Sequence, residues 1–131
     1  RRESVTNVPL NPDGSLDMPT LTTMVRTGRL KEAARMLHSC DENVPGLAEG
    51  LNLVALHAFT SDRQRAAHML WTKAEKLSPD SPNILFNVAR LRIQLGHYSE
   101  AKRTVEALLA LRPHLTMAKE LEDVLNARLG G

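Results

Sequence analysis

The chain has 131 residues, of which 42% are hydrophobic and 24% charged, so it can form one soluble globular domain with a real core. Aromatic residues make up only 3%, while leucine and alanine abound, which favours aliphatic packing between helices over an all-β fold. The 17 lysines and arginines nearly balance the 15 acidic residues, so we expect no nucleic-acid partner, which would need a concentrated basic stripe.

Cysteine content and hydropathy exclude two further classes of protein. Cys40 is the single cysteine, which excludes an intrachain disulfide framework and agrees with a reducing, cytoplasmic compartment. No apolar run reaches the roughly 18 residues that a membrane span requires, and no membrane insertion is expected. Because the chain begins at Arg1 without a methionine, we expect it to be a piece of a longer protein.

The predicted elements follow one another with short connections. Residues 1–13 contain prolines, asparagine and aspartate and predict a flexible lead-in. Helices are predicted over residues 18–27, 30–42, 47–60, 63–77, 82–95 and 98–111. Ser81 before Pro82 is typical of an N-cap followed by proline at the first helical position. Gly28 and Gly96 are typical of left-handed stops after a helix.

A 34-residue spacing relates three sets of residues. They are the prolines at 45, 79 and 113, the alanines at 33, 67 and 101, and the turn residues Gly28, Asp62 and Gly96. Since proline makes up about 5% of residues, both later prolines would match a given first one by chance about once in 400. The alanines let two antiparallel helices approach closely while larger side chains fill the gaps beside them. Repeats are therefore predicted over residues 14–47, 48–81 and 82–115.

A last amphipathic helix is predicted over residues 116–129. Its apolar residues recur at helical spacing and are Met117, Leu121, Val124, Leu125 and Leu129. A terminal helix of this kind covers the exposed apolar end of a stack of repeats. We therefore expect a single domain over residues 14–129.

This pattern resembles the tetratricopeptide repeat, a 34-residue pair of helices. The third repeat carries the resemblance on Leu85, Val88, Ala89, Gly96, Tyr98, Ala101 and Pro113. The second repeat carries it on Leu51, Val54, Ala55, Asp62, Ala67, Trp71, Ala74 and Pro79. The first repeat is fainter, with Leu21, Met24, Gly28, Ala33, Leu37 and Pro45. The resemblance implies an all-α fold, a right-handed helical solenoid of antiparallel helix pairs.

In tetratricopeptide proteins, the first helices of the pairs line a concave groove that binds partner proteins. The resemblance places this groove on Asn52, Leu56 and Phe59 in the second repeat and on Asn83, Phe86, Asn87, Arg90, Ile93 and Gln94 in the third. Amides can pair with a peptide backbone, arginine with a carboxylate, and phenylalanine offers an apolar anchor. For Leu56, Phe59 and Ile93, packing between neighbouring helices is an equally good interpretation.

The sequence offers histidines and a cysteine, but not in the combinations that metal binding or catalysis requires. The five histidines do not form a zinc-binding spacing, and Cys40 has no partnered histidine. Trp71 and the methionines at 24, 36, 69 and 117 are interpreted as residues that fill the core. We predict no catalytic residue, no cofactor and no metal site, and therefore no enzyme.

The expected function is a cytoplasmic scaffold or adaptor that binds a peptide or helix of another protein in the concave groove. Two alternatives remain: a chaperone of bacterial secretion or assembly, and an interaction module attached to an upstream catalytic or signalling domain. Self-association is also open, because a displaced closing helix would expose an apolar edge.

Overall fold

A computed structural model describes residues 8–130, and in that range regular secondary structure is α-helical apart from an isolated bridge between Leu10 and Leu16. The helices are α1 (Met18–Arg26), α2 (Leu30–His38), α3 (Leu47–Thr60), α4 (Gln64–Leu77), α5 (Pro82–Gln94), α6 (Tyr98–Leu111) and α7 (Thr116–Arg128). Helix α1 packs on α2, α3 on α4, and α5 on α6. The predicted all-α fold of helix pairs is confirmed.

The turn inside each pair has the same left-handed backbone. The angle φ is +90° at Gly28, +62° at Asp62 and +81° at Gly96. The next residue in each case donates its backbone N–H to a carbonyl five residues earlier, in the pairs Arg29 to Met24, Arg63 to Ala58 and His97 to Arg92. This bond closes a helix whose C′ residue is left-handed, a position that favours glycine and tolerates aspartate. The 34-residue spacing of turn residues therefore marks three equivalent helix ends.

Helix starts depend on side-chain caps where the sequence offers them. The carboxylate of Asp17 accepts the backbone N–H of Thr20, and Ser81 Oγ accepts that of Ile84. Each cap satisfies one of the N–H groups that a first helical turn leaves unpaired. The predicted cap at Ser81 is confirmed.

Helix α2 ends at His38, although the sequence predicts a helix over residues 30–42. The Nζ atom of Lys73, on α4, donates hydrogen bonds to the carbonyl oxygens of Leu37, His38 and Cys40 at 3.0, 2.8 and 2.9 Å. A cation stabilises the negative end of a helix, where the last carbonyls have no partner in a following turn of that helix. Lys73 therefore fixes the end of α2 and ties α2 to α4.

The chain divides into two compact units, Arg1–Leu77 and Ser78–Gly131. The first unit contains α1 to α4, and the second contains α5 to α7. The single domain over residues 14–129 and its division into repeats stay predictions.

Of the predicted lead-in, residues 1–13, the first seven residues lie outside the described part of the chain. Beyond that point Val8 is buried, and Leu16 donates its backbone N–H to the carbonyl of Pro45 at 2.9 Å. The side chain of Leu16 is buried against α3, where a Cβ atom at Gly50 would overlap it. A larger residue at position 50 would therefore displace the side chain of Leu16.

The core of the second unit joins all three of its helices. One buried cluster consists of Ala89, Ala101, Val105 and Leu125, and a second consists of Leu85, Leu108 and Ala118. Helix α7 contributes one residue to each cluster. It therefore covers one side of the α5–α6 pair.

Two of the methionines interpreted as core residues are on the surface. Trp71 and Met24 are buried, whereas Met69 and Met117 are 45% and 49% exposed. The buried face of α4 follows helical spacing through Ala67, Leu70, Trp71 and Ala74, and position 69 lies beside that stripe. The core interpretation is therefore wrong for Met69 and Met117.

We predict that Lys73→Met lowers the free energy of unfolding by about 1–2 kcal/mol, because the carbonyls at the end of α2 lose a charged donor. Urea unfolding followed by circular dichroism measures the change. Lys76→Met is the matched control, since Lys76 is an exposed lysine on the same helix. Equal losses in the two variants would contradict this role of Lys73.

We predict that Leu125→Ala lowers the free energy of unfolding by about 2–5 kcal/mol, because it opens a cavity between α7 and the α5–α6 pair. Leu129→Ala, at a residue that is 40% exposed, should stay within about 0.5 kcal/mol of the parent. Thermal unfolding measures the stability of both variants. Unchanged stability of Leu125→Ala would show that α7 is not part of this core.

Candidate functional site

The predicted groove residues lie on two helices in different units. Asn52, Leu56 and Phe59 form the α3 face in the first unit. The α5 face in the second unit consists of Asn83, Phe86, Asn87, Arg90, Ile93 and Gln94. Each face lies on the first helix of its pair, as the sequence predicts.

The α3 face holds the tryptophan of α4 in place. Trp71 is 1% exposed, and its Nε1–H donates a hydrogen bond to Asn52 Oδ1 at 2.7 Å. The ring of Phe59 lies 5.7 Å from the Trp71 ring, centroid to centroid, with the planes tilted by 60°. A buried indole needs a hydrogen-bond acceptor, and tilted rings at this distance attract each other. Asn52 and Phe59 therefore have structural roles within the α3–α4 pair.

The α5 face combines a cation, an aromatic ring and amides. The guanidinium carbon of Arg90 lies 5.6 Å from the centroid of the Phe86 ring, within reach of a cation–π interaction. The guanidinium is planar and carries its N–H donors in its own plane. Asn83 and Gln94 are exposed, and Asn87 is half-buried. This face therefore presents several hydrogen-bond donors and acceptors around one positive charge.

Phe86 and Ile93 also pack against the core. Phe86 contacts the cluster that includes Leu108, and Ile93 contacts the cluster that includes Leu125. Both side chains remain partly exposed. Each side chain therefore packs against the core on one side and is exposed to solvent on the other.

Arg92 and Thr104 form a polar pair inside the second unit, and neither residue belongs to the predicted groove. Arg92 Nη1 donates a hydrogen bond to Thr104 Oγ1 at 2.5 Å, and Thr104 Oγ1 donates to the carbonyl of Glu100 at 3.0 Å. Thr104 is only 4% exposed, so its hydroxyl requires partners. Arg92 lies in the helix predicted over residues 82–95, but the sequence gives no sign that Thr104 faces it.

Cys40 has the environment of a structural cysteine. It is 7% exposed, and this burial raises the pKa of its thiol, although the charge of Lys73 acts in the opposite direction. The thiolate is the reactive form, so a raised pKa disfavours nucleophilic chemistry. Within residues 8–130, no three histidine, cysteine or carboxylate side chains lie close enough together to hold a metal ion.

The described helices are also too short or too polar to cross a membrane.

A family model described as tetratricopeptide repeat matches residues 59–122. Over this range, just under half of the chain, the sequence is similar to tetratricopeptide repeats. The matched range runs from the end of α3 through about half of α7, and so includes the α4 helix and the whole α5–α6 pair. The resemblance stated from the 34-residue pattern is confirmed.

This chain is similar in sequence to one known protein and in structure to another. Cellulose synthase operon protein C from Pseudomonas fluorescens (strain SBW25) is 36% identical over 53 residues, which are 40% of this chain and 4% of that protein. The match therefore spans a small fraction of the relative's length. A solved structure of a MamA mutant has a TM-score of 0.63 at 19% identity, covering 86% of this chain and 82% of that one. At this identity the likeness shows the helical-repeat fold alone.

We predict that Asn52→Ala lowers the free energy of unfolding by about 1–3 kcal/mol, because the buried indole N–H loses its acceptor. Trp71 is the single tryptophan, so its fluorescence during urea unfolding reports the change directly. Asn83→Ala, at an exposed asparagine of the α5 face, should leave both stability and emission unchanged. Equal stability of the two variants would show that Asn52 does not support Trp71.

Proposed function

We propose that this repeat chain is an adaptor that binds a peptide or helical segment of a partner protein, mainly through the α5 face. The observation that carries the proposal is the cation–π contact between Arg90 and Phe86, which is flanked by exposed amides on the same helix. Tetratricopeptide repeats are a scaffold for protein interactions, which agrees with this assignment.

The chemistry of the α5 face suits an extended or helical segment with a carboxylate. Arg90 can form a bidentate pair with that carboxylate, and its guanidinium already lies near the Phe86 ring. The amides of Asn83 and Gln94 can each donate and accept, as a peptide backbone requires. Partly exposed Phe86 and Ile93 offer apolar contacts beside these polar groups.

The α3 face has a smaller part in the proposed binding. Asn52 and Phe59 are engaged with Trp71, so their substitution would disturb the α3–α4 pair as well as any partner. Leu56 is half-buried and can add an apolar contact. The proposed site therefore depends chiefly on the second unit.

We assign the chain no catalytic step, because its buried cysteine is a poor nucleophile and its repeats are typical of binding scaffolds. The free thiol of Cys40 agrees with a reducing, cytoplasmic compartment.

We predict that the double variant Asn87→Ala with Arg90→Ala weakens partner binding at least about tenfold, because it removes the central cation and amide of the face. Partners captured from native lysate with the parent chain are identified, and calorimetry then measures their affinities for both proteins. Circular dichroism confirms that the variant keeps its helicity.

The matched control is Arg103→Ala with Asn126→Ala, an exposed arginine on α6 and a half-buried asparagine on α7. It should bind the captured partner like the parent. Unchanged affinity in the Asn87–Arg90 variant would contradict the proposed site.

A further inference from the structure

The first unit contains a cleft between α2 and α4, the second helices of their pairs. This α2–α4 cleft has a volume of about 260 Å³. Its apolar residues are Ala34 on α2 and Ala66, Met69 and Leu70 on α4. Leu70 is buried, whereas Met69 is 45% exposed and forms an apolar lip. The cleft lies on helices that the proposed groove does not use.

The size of the cleft limits what can occupy it. Pockets for cofactors and drug-sized ligands usually measure about 300–1,000 Å³, so this cleft is small for such molecules. The two facing alanines, Ala34 and Ala66, leave space that larger residues at these positions would fill. A space of this kind suits one large apolar side chain from a partner protein.

The rim of the cleft is positively charged. Lys31 and Arg35 line it from α2, one helical turn apart, and no carboxylate is among the described residues that line it. The neighbouring Glu32 accepts two hydrogen bonds from Arg29 at 3.0 and 2.9 Å, and this pairing lowers the pKa of Glu32. His38, at the end of α2, also lines the cleft. An occupant should therefore bring carboxylates beside its apolar side chain.

We propose that the α2–α4 cleft is a second docking site, which takes an acidic segment of a partner protein through one inserted leucine-sized side chain. The inserted side chain packs over Ala34 and Ala66 and against Met69. Carboxylates on either side of it pair with Lys31 and Arg35. Burial of the apolar side chain supplies most of the affinity, while the charges set orientation and salt dependence.

Three labelled peptides of equal length test this proposal with the whole chain: a leucine between glutamates, an alanine between glutamates, and a leucine between lysines. Nuclear magnetic resonance titration locates the peptide on the protein. We expect a dissociation constant of about 1 mM for the leucine–glutamate peptide, with shifts centred on Ala34, Ala66 and Met69. The affinity should fall as salt rises, because the rim charges are exposed to solvent.

Matched substitutions separate the cleft from the rest of the surface. Met69→Glu and Arg35→Glu should each weaken the leucine–glutamate peptide at least about tenfold, through loss of apolar burial and like-charge repulsion respectively. Met117→Glu and Arg103→Glu change equally exposed residue types elsewhere and should have no effect. Both cleft variants alter exposed residues, and their spectra show whether the fold is kept.

The outcomes also distinguish this site from the proposed groove. The Asn87→Ala with Arg90→Ala variant should bind the leucine–glutamate peptide like the parent, even if it loses the partner of the α5 face. Absent binding, equal binding of the alanine or lysine peptide, or unchanged binding by Met69→Glu would overturn the proposal. Concentration-dependent self-association that disappears in Met69→Glu would overturn it too, since a second copy would then be the occupant.

Discussion

The structure depends on the close contact of antiparallel helices at small residues. Ala33, Ala67 and Ala101, on α2, α4 and α6, are fully buried, as are Ala55 and Ala89 on first helices. A larger side chain at any of these points would push the helices of a pair apart and strain the packing of its neighbours. Because the helices lie so close together at these alanines, the larger side chains beside them must fit the remaining space between the helices. Side chains at the margins of each helix contact do not take part in this packing.

Polar groups tie the helices together where apolar packing alone would leave partners unsatisfied. Trp71 is buried with its N–H held by Asn52, and Lys73 on the same helix holds the end of α2. In the second unit Arg92 has an equivalent role toward Thr104. Each interaction supplies a partner to a group whose burial would otherwise cost free energy. Asn52 and Arg92, both on first helices, therefore have structural roles.

The two proposed binding faces differ in how many of their residues already have structural contacts. The α5 face keeps a stacked cation and exposed amides, whereas two residues of the α3 face are engaged with Trp71. The α2 and α4 helices, the second helices of their pairs, form a cleft that is lined by apolar side chains and by Lys31 and Arg35. The same repeat geometry thus offers two chemically different surfaces, one on first helices and one on second helices.

The sequence by itself determined the helices, their turns and the repeat family, because caps, left-handed stops and the 34-residue spacing act locally or recur regularly. It also named the residues of the α3 and α5 faces, whose role in binding stays a prediction. Only the tertiary structure decided where α2 ends, what Asn52 contacts, and that Met69 lies at a cleft. The physical reason is distance along the chain. Lys73 meets the end of α2 from more than 30 residues away, and Asn52 meets Trp71 across a turn, so packing between helices sets these contacts.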